Sequence, residues 1–265
     1  MIETKLIFVA VVLTAGLAGG AIALRRRSPA SGSSKLGLGN AFAAGVFLCV
    51  GLVHMLPHAA ETWEGLGWHY PMASMLATVA FLLMLLIEHV FLPEHSHRGL
   101  HESRGHGFDA LATEGREGIG AYVVLAALSV HSLLAGLALG AEASMASAFI
   151  LFFAIFAHKS TAGFALGVSL VRSGVTRARS WLLLGLFAVS TPAGILVGTG
   201  LEAFLEGSAE RAAEASFLSL AAGTFVYVAT FDILRDEFLE PGGRFAKWAL
   251  VTAGAAVMGL VALFF

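Results

Sequence analysis

IGAYVVLAALSVHSLLAGLALG, residues 119–140, decides the fold. These 22 residues contain no Asp, Glu, Lys or Arg, and one histidine, His131, stands near the middle. As a helix the stretch is about 30 Å long, the thickness of a bilayer's hydrocarbon core. Backbone in lipid must bond to itself, and a single apolar segment can do so only as a helix. The rest of the chain has the same character. Of 265 residues, 57% are hydrophobic and 13% are charged, and the mean hydropathy is +0.82. A soluble domain carries about 25% charged residues. Lipid is therefore the solvent, and the expected fold is an all-α membrane protein forming a single transmembrane domain over residues 1–265.

Eight stretches are long and apolar enough to span: Leu6–Leu24, Leu36–Leu56, Tyr70–Phe91, Ile119–Leu139, Ala146–Leu170, Trp181–Gly200, Phe217–Leu234 and Trp248–Phe265. The first does not read as a cleaved signal peptide, because Arg25, Arg26 and Arg27 follow its apolar run. Basic residues orient the spans. Arg25 to Arg27 and Lys35 fall between spans one and two, Arg98, Arg104 and Arg116 between three and four, Arg172, Arg177 and Arg179 between five and six, and Arg235, Arg244 and Lys247 between seven and eight. The other side has Lys5 and Arg211. The positive-inside rule puts the basic loops in the cytoplasm and both termini outside it. The net charge of -2 argues against a nucleic-acid partner. The lone cysteine, Cys49, excludes an internal disulfide and a Cys-based zinc site.

Span four has a counterpart. Residues 131–140 read HSLLAGLALG and residues 158–167 read HKSTAGFALG, sharing His, Ala, Gly, Ala, Leu and Gly. Spans four and five run in opposite directions, so the copies predict an inverted repeat with a midplane site. Gly136 with Gly140, and Gly163 with Gly167, are small-xxx-small pairs suited to close helix packing. His131 and His158 open the two copies. Paired midplane imidazoles suit zinc ligation, since neutral imidazole is a favoured zinc ligand. Zinc prefers four ligands; Ser132 adjoins the first histidine and solvent could complete the set. Lys159 adjoins His158, and intramembrane ionisable residues are functional candidates. Two readings stand: an ion pair with Glu88, Glu142 or Asp232, or a built-in cation in place of a second metal.

Candidate residues continue toward both ends. His54 and His58 in HMLPHAAE share a helix face near the outer end of span two, with Glu61, Glu64 and His69 close by. They read as a collecting mouth, and Pro57 is expected to break the helix there. On the cytoplasmic side, EHVFLPEHSHRGLHESRGH (88–106) carries Glu88, His89, Glu94, His95, His97, His101, Glu102 and His106. A histidine-rich cytoplasmic loop over 93–118 is expected to bind metal loosely. Asp232, near Thr230 in span seven, is a candidate inner ligand. Pro192, after Ser190 and Thr191, predicts a kink whose freed carbonyls face a cavity.

These pieces together resemble the Zrt/Irt-like (ZIP) family of metal transporters. The matching motifs are GVFLCVGLVHMLPHA (45–59), IEH (87–89), HSLLAGLALG, HKSTAGFALG, STPAGILVG (190–198) and AAGTFVYVATFDIL (221–234). The His-Lys pair resembles the branch with lysine in place of a second-metal ligand. The resemblance implies eight helices and a transport site between spans four and five. It implies import of zinc, with Fe2+, Mn2+ or Cd2+ as other cargoes, through a multi-pass plasma or inner membrane protein. It also implies homodimers, and alternating access by one helix group sliding against another. No catalytic cofactor is implied, and the metal is the substrate. Many members carry a carboxylate four residues after each transport-site histidine or its counterpart, where this chain has Ala135 and Ala162. That makes a two-metal centre doubtful and leaves Glu88, Glu142 or Asp232 as recruitable ligands. The competing reading is an intramembrane zinc hydrolase, which needs a third ligand and a base. The alanines beside both histidines supply neither, and no enzyme activity is expected.

Overall fold

In a computed structural model, residues 2–25, 32–91, 119–202, 204 and 207–263 are described. Among the described residues eight helices are long and apolar enough to cross a membrane. They are α1 (Ile2–Arg25), α2 (Leu36–Gly65), α3 (Met72–Val90), α4 (Ala121–Ala141), α5 (Met145–Arg172), α6 (Arg177–Leu201), α7 (Ser208–Leu239) and α8 (Arg244–Ala262). No strand occurs among the described residues. The expected spans all recur, but α2 and α7 outrun them. Both continue into polar sequence at the membrane boundary, where hydropathy falls while helical hydrogen bonding continues.

Pro57 does not break α2. The helix passes through a π-helical turn, Val50–Met55, and resumes as α-helix over Leu56–Gly65. The Leu56 N–H bonds the Gly51 carbonyl, five residues back. Proline then falls in the first turn of the resumed helix, where its missing N–H is not needed. Two further π-helical stretches close α3 (Ile87–Phe91) and interrupt α7 (Val228–Leu234). Pro192 lies buried inside an unbroken α6.

Packing sorts the helices into two groups. In one, α4 packs on α6, α1 on α5 and α6, and α5 on both α4 and α6. In the other, α2 packs on α8 and α7, and α3 on α7. The groups meet mainly where α4 faces α7 and α5 faces α2. Small residues make the first group tight. A Cβ at Gly136 or Gly140 would collide with the Thr191 or Ile195 carbonyl of α6, and one at Gly194 or Gly198 with the Leu133 or Leu137 carbonyl of α4. Lipid tails supply no hydrophobic drive between helices, so such close backbone contact is what holds them. Lys5 of α1 donates to the Gly140 carbonyl at 2.8 Å, tying α1 to the end of α4. The faces of α3 and α8 are the least buried and present Met75, Leu82, Leu83, Val257 and Leu260 outward, as a lipid-facing surface should.

Candidate metal centre

His131 and His158 come together where α4 and α5 face the second helix group. Their ring centroids lie 5.8 Å apart with planes at 65°. Both side chains are buried. His131 Nδ1 lies 2.9 Å from the Ala221 carbonyl of α7 and 3.2 Å from Thr224 Oγ1. A carbonyl can only accept, so Nδ1 carries the proton and Nε2 presents its lone pair. Among the described residues His131 Nε2 has no hydrogen-bond partner, and neither does His158 Nδ1. Phe225 of α7 stacks on His131 at 3.3 Å, meets His158 edge-on at 4.9 Å, and is itself stacked on Phe47 of α2. Ala135 and Ala162, each four residues on from a histidine, are buried. Two bare imidazole nitrogens in an apolar setting suit a borderline-soft cation better than a hard one.

Ser132 is engaged by Lys159. Its Oγ accepts from Lys159 Nζ at 2.9 Å, and Lys159 also donates to Thr191 Oγ1 of α6 at 2.8 Å. The ammonium lies 3.9 Å from the centre of the Phe187 ring. Lys159 is thus satisfied within the first helix group by two hydroxyls and an aromatic face. Its hydrogen bonds go to these hydroxyls, which sets aside the first of the two readings, an ion pair with Glu88, Glu142 or Asp232. The reason is reach: Ser132 and Thr191 are within 3 Å on the helices flanking α5.

Toward the side opposite the basic loops, His58 Nε2 lies 3.7 Å from Glu214 Oε1 of α7. Glu142, just beyond α4, accepts from the Ser144 N–H at 2.6 Å and faces Glu214. Burial and the Glu214 carboxylate push the Glu142 carboxyl up to about 7, while the Ser144 N–H works the other way. His54 lies deeper in the π-helical turn of α2, with a bare Nε2. Toward the basic-loop side, Tyr227 donates to Glu88 Oε2 at 2.5 Å and lies 3.2 Å from His89 Nδ1. Asp232 is within hydrogen-bonding reach of Glu88, and its Oδ2 lacks a partner. Among the described residues no three of His, Cys, Asp and Glu stand close enough to form a ready-made metal cage. His95, His97, His101, His106, Glu94 and Glu102 lie outside the described residues.

Thr191, Glu214, Thr224, Phe225 and Tyr227 were not foreseen. One helical face would have found two of them. Glu214, Ala221, Phe225 and Asp232 are spaced by 7, 4 and 7 residues, so a wheel drawn back from Asp232 reaches Phe225 and Glu214. Thr191 and Tyr227 act through partners 32 and 139 residues away, and no local pattern marks them.

The sequence profile of the ZIP zinc transporter family matches residues 2–107 and 91–262. Zinc transporter ZIP2 of Mus musculus is 30% identical over 259 residues, covering 83% of this chain and 82% of its own. Zinc transporter ZIP1 of Bos taurus is 29% identical over 262 residues, covering 86% and 78%. Zinc transporter 11 of Arabidopsis thaliana is 32% identical over 216 residues, covering 76% and 66%.

Proposed function

Because the chain belongs to the ZIP zinc transporter family, we propose that it moves a divalent metal ion, zinc first, across the membrane through the His131–His158 site. The observation that carries this is the pair of buried imidazoles with bare nitrogens, where the two helix groups meet. Neutral imidazole binds zinc well, and two ligands with solvent bind weakly enough to let go. His54, His58, Glu142 and Glu214 form the outer approach. Glu88, Asp232, Tyr227 and His89 form the inner one, leading to a low-affinity sink in the loop 93–118 that holds His95 and His97.

Transport runs toward the basic loops, which face the cytoplasm of a plasma or inner membrane, with both termini outside. The first helix group slides against the second, and the decapeptides of α4 and α5 mark an inverted repeat. The protein works as a homodimer. Fe2+, Mn2+ and Cd2+ are alternative cargoes for the same nitrogens. Lys159 takes the place of a second cation beside the site and keeps it mononuclear. Nothing favours the hydrolase reading, since Ala135 and Ala162 leave no base beside the imidazoles. The test is radiolabelled zinc uptake into proteoliposomes, with and without a pH gradient. Saturable uptake is expected, and its absence from a folded, reconstituted protein would overturn the reading.

A further inference from the structure

The two helix groups are joined at their basic-loop end by a charge network, centred on a buried Glu237, that the metal path does not use. Arg172, the last residue of α5, donates from Nη1 to Glu237 Oε1 at 2.6 Å and from Nη2 to Glu237 Oε2 at 3.2 Å. Glu237 sits at the end of α7 and is fully buried. Asn40 of α2 donates to the same Oε1 at 2.9 Å. Lys247 of α8 donates to the Glu237 and Glu240 backbone carbonyls, and Arg172 Nη2 lies 3.6 Å from Glu240 Oε1. Glu237 is therefore held by three helices. Two of its three partners, Asn40 and Lys247, belong to its own helix group; Arg172 comes from the other.

That asymmetry matters when the groups move. If α5 slides along α7 by a few Å, Asn40 and Lys247 stay with Glu237 and Arg172 leaves. A forked pair tolerates little displacement, because both N–H donors must aim at the two oxygens at once. Leaving Glu237 buried without its guanidinium is costly in low dielectric. Such a pair makes the aligned arrangement a discrete state.

We infer that Arg172 and Glu237 form a latch between the two helix groups that holds their basic-loop ends together until the groups slide. The inference rests on the alternating-access reading above. The latch sets how often those ends separate and takes no part in binding metal.

The test uses the full chain with Cys49→Ala and one reporter, Ala162→Cys, buried one turn from His158 toward the basic loops. A membrane-impermeant thiol reagent is added to either face of reconstituted vesicles. Breaking the latch without stranding a charge, by Arg172→Met with Glu237→Gln, should speed labelling about fivefold or more from the basic-loop face alone. Arg172→Lys, which keeps the charge and loses the fork, should fall between this double variant and the parent. Unchanged labelling in both variants would sink the latch. So would an equal rise from both faces, which means loosened packing. Should the double variant fail to fold, Arg172→Lys alone decides by the same face-specific criterion. Zinc uptake by the unsubstituted chain in the same vesicles reports separately on the carrier reading.

Discussion

Residues 131–140 of α4 and 158–167 of α5 share six residues in ten, and the structure puts their glycines to the same kind of use. Gly136 and Gly140 press α4 against the backbone of α6, while Gly163 and Gly167 press α5 against Gly16 and Gly20 of α1. Each copy also opens with a buried histidine carrying one bare ring nitrogen. They part at the second position. Ser132 is small and accepts; Lys159 is long, cationic and donates to it. The same plan thus builds two helices that pack alike and are joined by what differs between them. Likeness between the copies marks packing, and unlikeness marks the bond that joins Ser132 to Lys159.

The hardest test of the likeness is to remove each imidazole. His131→Ala and His158→Ala should each cut zinc uptake by about 100-fold or to background, with surface expression unchanged. Uptake normalised to surface protein is the measurement. Wild-type uptake in either variant would end the idea of a shared site.

The unlikeness is tested at Lys159. Lys159→Asp should admit a second metal and slow turnover by about tenfold, since added negative charge holds a dication harder. Lys159→Met removes the donor without adding a ligand. It should leave one metal and cost about 1–3 kcal/mol for two hydroxyls that lose their donor. Anomalous diffraction on metal-soaked crystals counts the ions. Two metals bridging α4 and α5 in the unsubstituted protein would show that the lysine does not exclude one.

Packing equivalence predicts a smaller, paired effect. Gly136→Val and Gly163→Val should destabilise similarly, by about 1–3 kcal/mol or more, because each forces a side chain into a neighbouring backbone. Gly185→Val, with nothing within 4 Å, should change little. Melting in detergent separates the three. A large difference between the first two would mean that the shared glycines do not play equivalent parts.

How far the sequence could be read follows from the range of each interaction. The spans were legible because hydropathy and helix length are local, and the two histidines because an imaginary membrane midplane needs only counting. Lys159 was singled out as a functional candidate, with its role left open between an ion pair and a built-in cation. Charge complementarity pointed to Glu88, Glu142 and Asp232, whereas geometry put Ser132 and Thr191 nearer. Pro57 misled because a rule for α-helices was applied where the chain takes a π-helical turn, a feature with no simple sequence mark. The latch residues were visible only as charges at span ends. Arg172 was counted toward topology, and Glu237 lies 65 residues further on.

The copies also end differently, and the smallest prediction comes from there. Glu142 follows the first copy by two residues, where α4 has already stopped, whereas Ser169 holds the same place within α5. Glu142 therefore sits in a turn, buried and facing Glu214, and its carboxyl is raised from 4.5 to about 7. A carboxyl that titrates higher folded than unfolded binds more protons in the folded state between those two values. Its contribution to stability is thus fully present below pH 4.5 and is lost as pH rises through about 7. The melting midpoint should fall by a few degrees between pH 5 and pH 8 on account of this group. Glu142→Gln should flatten that fall and leave the variant the more stable of the two at pH 8, because a neutral amide meets Glu214 without repulsion. The comparable change at Ser169 should leave the pH dependence as it was. A Glu142→Gln variant whose melting keeps the wild-type pH slope would show that the two carboxylates are too well hydrated to oppose each other. The turn after the first copy would then be no more charge-sensitive than the helix that carries the second.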